Sequence, residues 1–332
     1  MKIRLATFNL FQFTKPPYSW YTKKERFTEK QWLIKTSWIK KQILKMNADI
    51  IGFQEVFSRD ALKTLVNELG YNYFETVDVP KVSKTNPLIY MSTTVAIASK
   101  YPISNMQEVK VHIPSIKKHK YEGFFKFSRI PIKATITLPN EEDFLVYVCH
   151  LKSNRLNEFE YVFNEKDTLE HKKELINKAL KDKYSEALKT RLCEASSLFF
   201  DIKKSKKPCV LMTDLNDKEF SITIDALSNN KYHDEKRRES FILHDSYFQI
   251  ENKVYNPHPE QKEAKRVPTS YFAGKGNVLD YIFLSKEFNN KNKKNIAFVS
   301  SFEVFDEAIK TNHDGSLLSS DHAQVLCELT FH

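Results

Sequence analysis

Six short apolar runs of this chain carry, or end in, a lone carboxylate, amide or imidazole side chain. A packed core excludes such groups, because burying an unpaired polar group costs free energy and a charged one costs more. The polar interruptions therefore predict that the ends of these runs converge on one site. The runs are Ile3–Asn9, Asp49–Glu55, Phe144–His150, Cys209–Asn216, Val278–Leu284 and Ser320–Val325.

Two of the carboxylates, Glu55 and Asp321, are the best candidates for binding a metal ion. A hard divalent cation such as Mg²⁺ takes few protein carboxylates and completes its shell with water and phosphate oxygens. Acidic residues on separate runs, with asparagines and histidines beside them, supply such ligands. The pattern predicts a magnesium site that works on a phosphate ester.

Hydrolysis of a phosphate ester also needs a group that positions and deprotonates the attacking water. Asp214 fits this role, and Asn216 lies on the same side of its run. His322 paired with Asp280 is one candidate donor to the developing charge, and His150 is a second. Each residue alone is also explained as a polar cap at a strand end, and for His150 or Asp280 alone that explanation is the better one. The whole set argues for catalysis.

The composition of the 332-residue chain is that of a globular protein, with 41% hydrophobic and 28% charged residues. The formal net charge is +10 and the pI is about 9.1. This balance favours an anionic partner such as nucleic acid, phosphoinositide or an acidic membrane surface. From charge alone, a lysine-rich solvated surface is the simpler explanation.

The cysteine pattern and the lengths of the apolar stretches indicate the cellular compartment of the protein. The four cysteines form no CxxC pair, which argues against a zinc site or a disulfide framework and favours a reducing compartment. No stretch of about 18 apolar residues exists, and the chain begins a strand without a secretory h-region. We expect a soluble protein that is cytoplasmic, or exported without a visible signal peptide.

The elements that must position these residues read as buried strands alternating with helices, which indicates a layered α/β protein. Thr28 is predicted to N-cap a helix over 29–46, and a second helix follows at Arg59–Leu69. The chain shows no repeat or linker, so 1–332 is expected to be one domain with a helical insertion at about 154–207. Further predictions are strands at Val109–Ile113 and Phe124–Phe127, and a turn-rich loop at Asn256–Gly276.

Eight segments together resemble the endonuclease/exonuclease/phosphatase superfamily, which includes deoxyribonuclease I, and the nearest resemblance is to its bacterial nuclease-like members. They follow the family order from Asn9 to His322, so the resemblance covers almost the whole chain. Each motif alone is weak, but their joint order and spacing are specific. The segments are TFNLF at Thr7–Phe11, DIIGFQEV at Asp49–Val56, TVAIASKYPI at Thr94–Ile103, FSRIPI at Phe127–Ile132, CHLKSNR at Cys149–Arg155, MTDLND at Met212–Asp217, LDYIFLS at Leu279–Ser285 and SSDHAQV at Ser319–Val325.

The resemblance implies an α/β (α+β) fold, a four-layer sandwich in which two packed, mixed and mostly antiparallel sheets are flanked by helices. It also implies a catalytic Mg²⁺, with Mn²⁺ or Ca²⁺ as possible substitutes. Glu55 would bind the cation, with Asn9 beside it and Asp321 contributing directly or through water.

The resemblance implies a role for each of five catalytic residues. Asp214 would activate the water and Asn216 would contact the phosphate. His322, oriented by Asp280, would stabilise the transition state, and His150 would assist at the scissile phosphate or the leaving oxygen.

Three more residues, Arg129, Lys152 and Asn154, are expected to contact substrate phosphates. A surface salt bridge for Arg129, or ordinary loop polarity for the other two, is an equal alternative. The sequence departs from the family at Thr213, where glycine usually precedes the catalytic aspartate. We expect this departure to affect the local geometry around Asp214 more than the activity.

Three functions are compatible with these features. The first is a magnesium-dependent endonuclease, a monomer, that cleaves DNA phosphodiesters. The second is a phosphoinositide phosphatase or sphingomyelinase-type phosphodiesterase, whose aromatic segments at Phe11–Tyr21 and Tyr121–Phe127 would enter a membrane interface. Packing in the core and loops is the better explanation of these aromatic residues. The third is a catalytically idle member that only binds a partner, against which the complete set of polar residues argues.

Overall fold

Two six-stranded sheets form the centre of the protein in a computed structural model, which describes residues 1–181, 183–233, 241–250, 266–272, 274–311 and 318–332. The strands, numbered in chain order, are β1 (Lys2–Phe13), β2 (Ser19–Trp20), β3 (Ile50–Val56), β4 (Tyr73–Glu75), β5 (Ile89–Tyr90), β6 (Thr94–Ser99), β7 (Ile103–Glu108), β8 (Ile132–Thr137), β9 (Asp143–His150), β10 (Cys209–Asp214), β11 (His244–Asp245), β12 (Ser270–Phe272), β13 (Lys275–Asn277), β14 (Asp280–Leu284), β15 (Ala297–Phe305) and β16 (Gln324–Phe331).

Seven α-helices and three short 3₁₀ turns connect the described strands. The helices are α1 (Glu29–Met46), α2 (Arg59–Asn67), α3 (Ile113–Lys118), α4 (Leu169–Lys181), α5 (Glu186–Ser205), α6 (Ile222–Ser228) and α7 (Glu307–Thr311). The 3₁₀ turns are Asn230–His233, Ser246–Gln249 and Lys286–Phe288. Each described helix is too short or too polar to span a bilayer.

Both sheets are mixed. The first has the strand order β15-β16-β1-β3-β6-β4, and the second has the order β11-β14-β10-β9-β8-β7. Within them, β1 pairs with β3 and β9 pairs with β10 in parallel, while the other neighbours are antiparallel. Two small ribbons, β2–β5 and β12–β13, lie outside the sheets.

Alternation along the strands builds four layers. On β1, Ile3 and Leu5 face the second sheet, whereas Phe8 and Leu10 pack with residues of α1 and α2. On β9, Val146 and Val148 face the first sheet, whereas Tyr147 and Cys149 pack against α5 and α6. The order is helices, sheet, sheet, helices, so the predicted four-layer α/β sandwich is confirmed.

The sheets approach closely at Gly52 on β3. A β-carbon added there would lie 3.0 Å from Met212 Cβ and 3.1 Å from both γ-carbons of Val148. A side chain at this position would push the second sheet away. Glycine therefore sets the spacing between the sheets three residues before Glu55.

The helix predicted at 29–46 is confirmed with both of its ends. The Thr28 side chain accepts a hydrogen bond from the Gln31 backbone, and the Gln31 side chain accepts one from the Thr28 backbone, which forms a capping box. Asn47, at φ 45°, ends the helix in the left-handed conformation. The second helix ends at Asn67, two residues earlier than predicted.

Two of the predicted strands are wrong. Val109–Ile113 is a loop that leads into α3, and Phe124–Phe127 is irregular. Phe125 and Phe127 are buried against other side chains rather than in a sheet, because short apolar runs satisfy loop packing as well as strand pairing. Part of the predicted loop Asn256–Gly276, namely 256–265 and 273, lies outside the described residues.

Candidate active site

Three titratable residues stand side by side at one end of the second sheet. His150 ends β9, Asp214 ends β10 and Asp280 begins β14. The strand register pairs Asp214 with His150 on one side and with Asp280 on the other, and all three are almost fully buried. The sheet itself therefore produces the cluster that the sequence predicted.

The first sheet contributes Asn9 and Glu55 through an irregular stretch of backbone. β1 bulges after Asn9, with Phe11 at φ 49° and Gln12 at φ 62°, and Glu55 has φ 60°. Non-glycine residues adopt this conformation at a cost of about 1–3 kcal/mol, and such strain gathers at functional sites. Here the Gln12 backbone donates to Glu55 Oε2 at 2.9 Å, which orients the carboxylate.

Asp214 is held from both sheets. Its Oδ2 accepts a 3.0 Å hydrogen bond from Asn9 Nδ2 and lies 3.4 Å from His150 Nε2, and its Oδ1 accepts from the Asn216 backbone at 2.8 Å. Burial, reinforced by the charge of Asp280 and opposed by His322, raises the pKa of Asp214 to about 7. A carboxylate with that pKa is suited to accept a proton near neutral pH.

His322 enters the cluster from the loop that precedes β16. Its Nδ1 lies 2.8 Å from Asp280 Oδ2 and 4.0 Å from Asp214 Oδ2. The Ser320 hydroxyl donates to the Asn9 carbonyl at 2.7 Å and accepts from the His322 backbone at 3.0 Å, which ties this loop to β1. Burial opposes protonation of His322, but the surrounding carboxylates, led by Asp280, raise its pKa well above the ordinary value.

His150, the second histidine of the cluster, differs from His322 in charge. Burial, Arg129, His322 and Lys152 lower the pKa of His150 well below its ordinary value, so the ring is neutral. Its Nδ1 is buried and makes no hydrogen bond with the described residues. One site thus holds one charged and one neutral imidazole.

A second acidic group lies at the mouth of the site. Asp321 is exposed, and Glu55 is half-buried. The surrounding protein removes water from the Asp321 carboxylate although part of the side chain is exposed. This desolvation and the charge of Glu55, opposed by His322, raise the pKa of Asp321 to about 6. Lys35, on α1, is fully buried beside them; burial lowers its pKa to about 7, although Asp321 and Glu55 act to raise it.

Two groups of side chains have the chemistry of a cation site. Asp214, Asp280 and His322 each place one ligand atom within 4.8 Å of the others, but His322 Nδ1 is already bonded to Asp280. Glu55, with Asn9 and Asp321, offers only oxygen ligands. Asn9 Oδ1 already accepts a 2.9 Å hydrogen bond from the Phe11 backbone, whereas Glu55 Oε1 accepts none from the described residues. Hard oxygens are what Mg²⁺ prefers, so the Glu55 group fits it better.

Two of the three expected phosphate contacts, Arg129 and Lys152, lie close enough to His150 for their charges to lower its pKa. Arg129 donates to the Leu151 carbonyl at 2.9 Å and to Ser153 Oγ at 3.3 Å, and Asn216 Nδ2 donates to the same carbonyl at 3.1 Å. Burial and the charge of Arg129 lower the pKa of Lys152. Asn154 is exposed farther along the loop.

Two residues of α5 that were not predicted as part of the site hold this loop. Glu194 accepts backbone hydrogen bonds from Ser128 and Lys152, both at 2.7 Å, and Arg191 donates to the Lys152 carbonyl at 3.0 Å. Both are fully buried. The sequence does contain a signal for such buried polar contacts. Arg191 and Glu194 are charged residues on the apolar face of an amphipathic helix, three or four residues from Leu188 or Leu198.

The departure at Thr213 is accommodated without distortion. Its side chain is buried and its hydroxyl lies 2.8 Å from Cys149 Sγ, on the neighbouring strand. The position continues the regular pairing of β10 with both neighbours. Threonine here leaves Asp214 in register.

Comparisons with known proteins identify the family and the fold. The sequence profile described as Endonuclease/Exonuclease/phosphatase family matches residues 6–322. The chain is similar to the human Nocturnin catalytic domain with bound sulfate (TM-score 0.59, 15% identity, 100% of this chain and 94% of the other). It is also similar to an endonuclease/exonuclease/phosphatase from Bacteroides vulgatus (0.54, 17%, 100% of each) and to D. rerio TDP2 complexed with single-strand DNA product (0.53, 11%, 99% of each). No curated protein matches significantly. At these identities the structural likeness shows the fold.

Proposed function

The chain belongs to the endonuclease/exonuclease/phosphatase family and is a metal-dependent phosphoester hydrolase, and from this premise we propose that it is a Mg²⁺-dependent endonuclease that cleaves DNA phosphodiesters. The observation that carries the proposal is the buried set of Asp214, Asp280 and His322, held across both sheets by Asn9. A purely structural role would not require two buried carboxylates beside one charged and one neutral histidine.

The residues divide the work of hydrolysis among them. Asp214 orients the attacking water and accepts its proton, since Asn9 and the Asn216 backbone fix the carboxylate. His322, kept protonated by Asp280, donates to a phosphate oxygen as negative charge develops. His150 assists at the scissile phosphate or the leaving oxygen.

Glu55, Asn9 and Asp321 would hold the cation, which neutralises phosphate charge and stabilises the leaving oxygen when bound. Arg129, Asn216 and Lys152 face the phosphate from the other side, and Asn154 contacts a flanking phosphate. We further propose that the whole chain, 1–332, is one catalytic domain that works as a monomer, with the stretch at 154–207 shaping access to the site.

The net charge of +10 suits a polyanionic substrate such as DNA, although it suits an acidic membrane surface equally. The structural relative complexed with single-strand DNA product supports the choice of DNA. One observation favours the membrane alternative, a phosphoinositide or sphingomyelin hydrolase: Phe124 is 91% exposed in the aromatic segment that precedes Arg129.

A substrate panel separates the two functions. We would incubate the protein and Mg²⁺ with plasmid DNA, RNA, soluble inositol phosphates and sphingomyelin vesicles. Nicking of the plasmid, abolished by a chelator and by His322→Ala or Asp214→Ala, is expected. Release of phosphate from an inositol phosphate, or of phosphocholine from the vesicles, without nicking would overturn the nuclease proposal. Activity that survives both substitutions would overturn the assigned roles.

A further inference from the structure

Four aromatic rings form a row along one side of the active site. The ring centroids of Tyr18 and Tyr90 are 5.1 Å apart, those of Tyr90 and Phe57 are 5.9 Å apart, and those of Phe57 and Tyr21 are 5.7 Å apart. Phe57 is buried, whereas Tyr21 is 46% exposed at the end of the row. The row therefore presents a supported aromatic surface to solvent.

Tyr21 is fixed in place beside the reacting groups. It follows β2, its φ is 60°, and its backbone donates to the Tyr90 carbonyl at 2.7 Å. Its ring packs on Phe57, which follows Glu55 by two residues. Burial raises the pKa of the Tyr21 hydroxyl, and the charges of Arg129 and Glu55 act on it in opposite directions. A ring so held loses little conformational entropy when a ligand stacks on it.

The row leads into a cleft of about 330 Å³ with a partly basic lining. Lys15 and Arg59 line it together with Tyr18 and Tyr90, and Asp60 supplies one opposing charge. The Lys15 backbone donates to Ser58 Oγ at 2.9 Å, which fixes this wall to the start of α2. Arg59 Nε is buried and makes no hydrogen bond with the described residues. Cations beside aromatic rings suit a phosphate next to a base.

We propose that Tyr21 stacks an unpaired nucleobase next to the scissile phosphodiester, and that Lys15 and Arg59 bind the phosphates that follow it. This inference rests on the proposed nuclease function and names its substrate class as single-stranded DNA or a frayed duplex end. A base inside a duplex has both faces covered by its neighbours, so only an unstacked base offers a face to Tyr21.

Binding of a fluorescent single-stranded oligonucleotide, measured by anisotropy with Mg²⁺ in the His322→Ala background, tests the stacking contact. Tyr21→Ala should weaken binding about 5- to 150-fold, the range found for one stacked base. Tyr21→Phe keeps the ring and should stay within about twofold. Tyr73→Ala is the matched control, because Tyr73 is 37% exposed and pairs with Ser99, at the end of the first sheet away from Glu55. Thermal unfolding of each variant confirms that it is folded.

An abasic oligonucleotide isolates the contact from any structural effect of the substitution. Removing the stacked base should weaken wild-type binding as much as Tyr21→Ala does, and should cost nothing further in the variant. Additive losses would overturn the stacking role. Arg59→Gln and Lys15→Gln should each reduce the slope of log K against log salt by about one, whereas the exposed Lys293→Gln should not.

The failures of the two proposals are distinguishable. If the wild type cleaves no polynucleotide, the nuclease function is wrong. If it cleaves DNA and Tyr21→Ala binds and cleaves single strands equally well, only the stacking subsite is wrong. The last measurement is binding to vesicles of phosphatidylcholine and phosphatidylserine. If Tyr21→Ala loses vesicle binding but keeps oligonucleotide binding, Tyr21 contacts a membrane and the stacking subsite is wrong.

Discussion

The side chain of Asn9, on the first sheet, donates a 3.0 Å hydrogen bond to the carboxylate of Asp214, on the second. Both residues are buried, and the bond joins positions 205 residues apart in the chain. The candidate active site therefore depends on how the two sheets pack.

Asn9→Ala should lower kcat about 100-fold, because Asp214 loses the donor that orients it and the proposed cation group loses one member. The buried carboxylate also loses a hydrogen bond, which costs about 1–3 kcal/mol of stability. Steady-state kinetics and urea unfolding measure the two effects. Thr7→Val is the control, since it removes a buried hydrogen bond to Gln54 from the same face of β1 and should change stability without changing kcat. Equal kinetic losses in both variants would contradict the orienting role.

The pH profile of kcat/KM should show an acidic limb near pH 7. Burial raises the pKa of Asp214 to about 7, and only the ionised form accepts the proton of water. Activity should therefore fall about tenfold per pH unit below that value. Saturating Mg²⁺ should move the limb to lower pH, because positive charge favours the carboxylate. A flat profile down to pH 5 at low Mg²⁺ would contradict the assignment of Asp214 as the base.

Asp280→Asn should lower the pKa of His322, because the substitution removes the main charge that raises it while burial remains. Proton NMR titration of the imidazole in metal-free protein measures this directly. His150 is the internal reference, since burial, the first cause of its shift, holds its pKa well below the ordinary value in either protein. We expect kcat to fall about 100-fold or more at pH 7. An unchanged titration of His322 would refute the pairing.

Lys35→Met should destabilise the metal-free protein and increase the gain in Tm on adding Mg²⁺. Lys35 Nζ donates to the Ser319 carbonyl at 3.1 Å, and its charge offsets Glu55 and Asp321. Without it, the carboxylates repel each other more and bind a cation more tightly, so mass action contributes more stability. Lys41→Met, on the exposed face of α1, should leave the gain unchanged. Equal gains in both variants would count against this role.

Gly52→Ala should cost about 1–3 kcal/mol, because the new β-carbon would overpack the inter-sheet core. Val148→Ala removes two of the three close contacts, so the double variant should lose less than the two single losses combined. Urea unfolding of the three variants measures the coupling. Simple additivity would show that the sheets have room to adjust at this position.

Much of the fold could be predicted from local patterns. The helix over 29–46 was bounded correctly because Thr28, the apolar spacing and Asn47 all act within a few residues of one another. The predicted strands at Val109–Ile113 and Phe124–Phe127 failed because burial against α5 and burial in a sheet select the same apolar residues. Lys35 could not be predicted because its partner, the Ser319 carbonyl, lies 284 residues away in the chain.

The sequence by itself determined which chemistry the protein can carry, since lone carboxylates, amides and imidazoles in buried runs have few other uses. Tertiary structure decided how that chemistry is arranged. Strand register placed Asp214 between His150 and Asp280, and the packing of the two sheets brought Asn9 to Asp214. The physical reason is that hydrogen bonds and pKa values depend on distances of a few ångströms and on burial, which residue order along the chain does not specify.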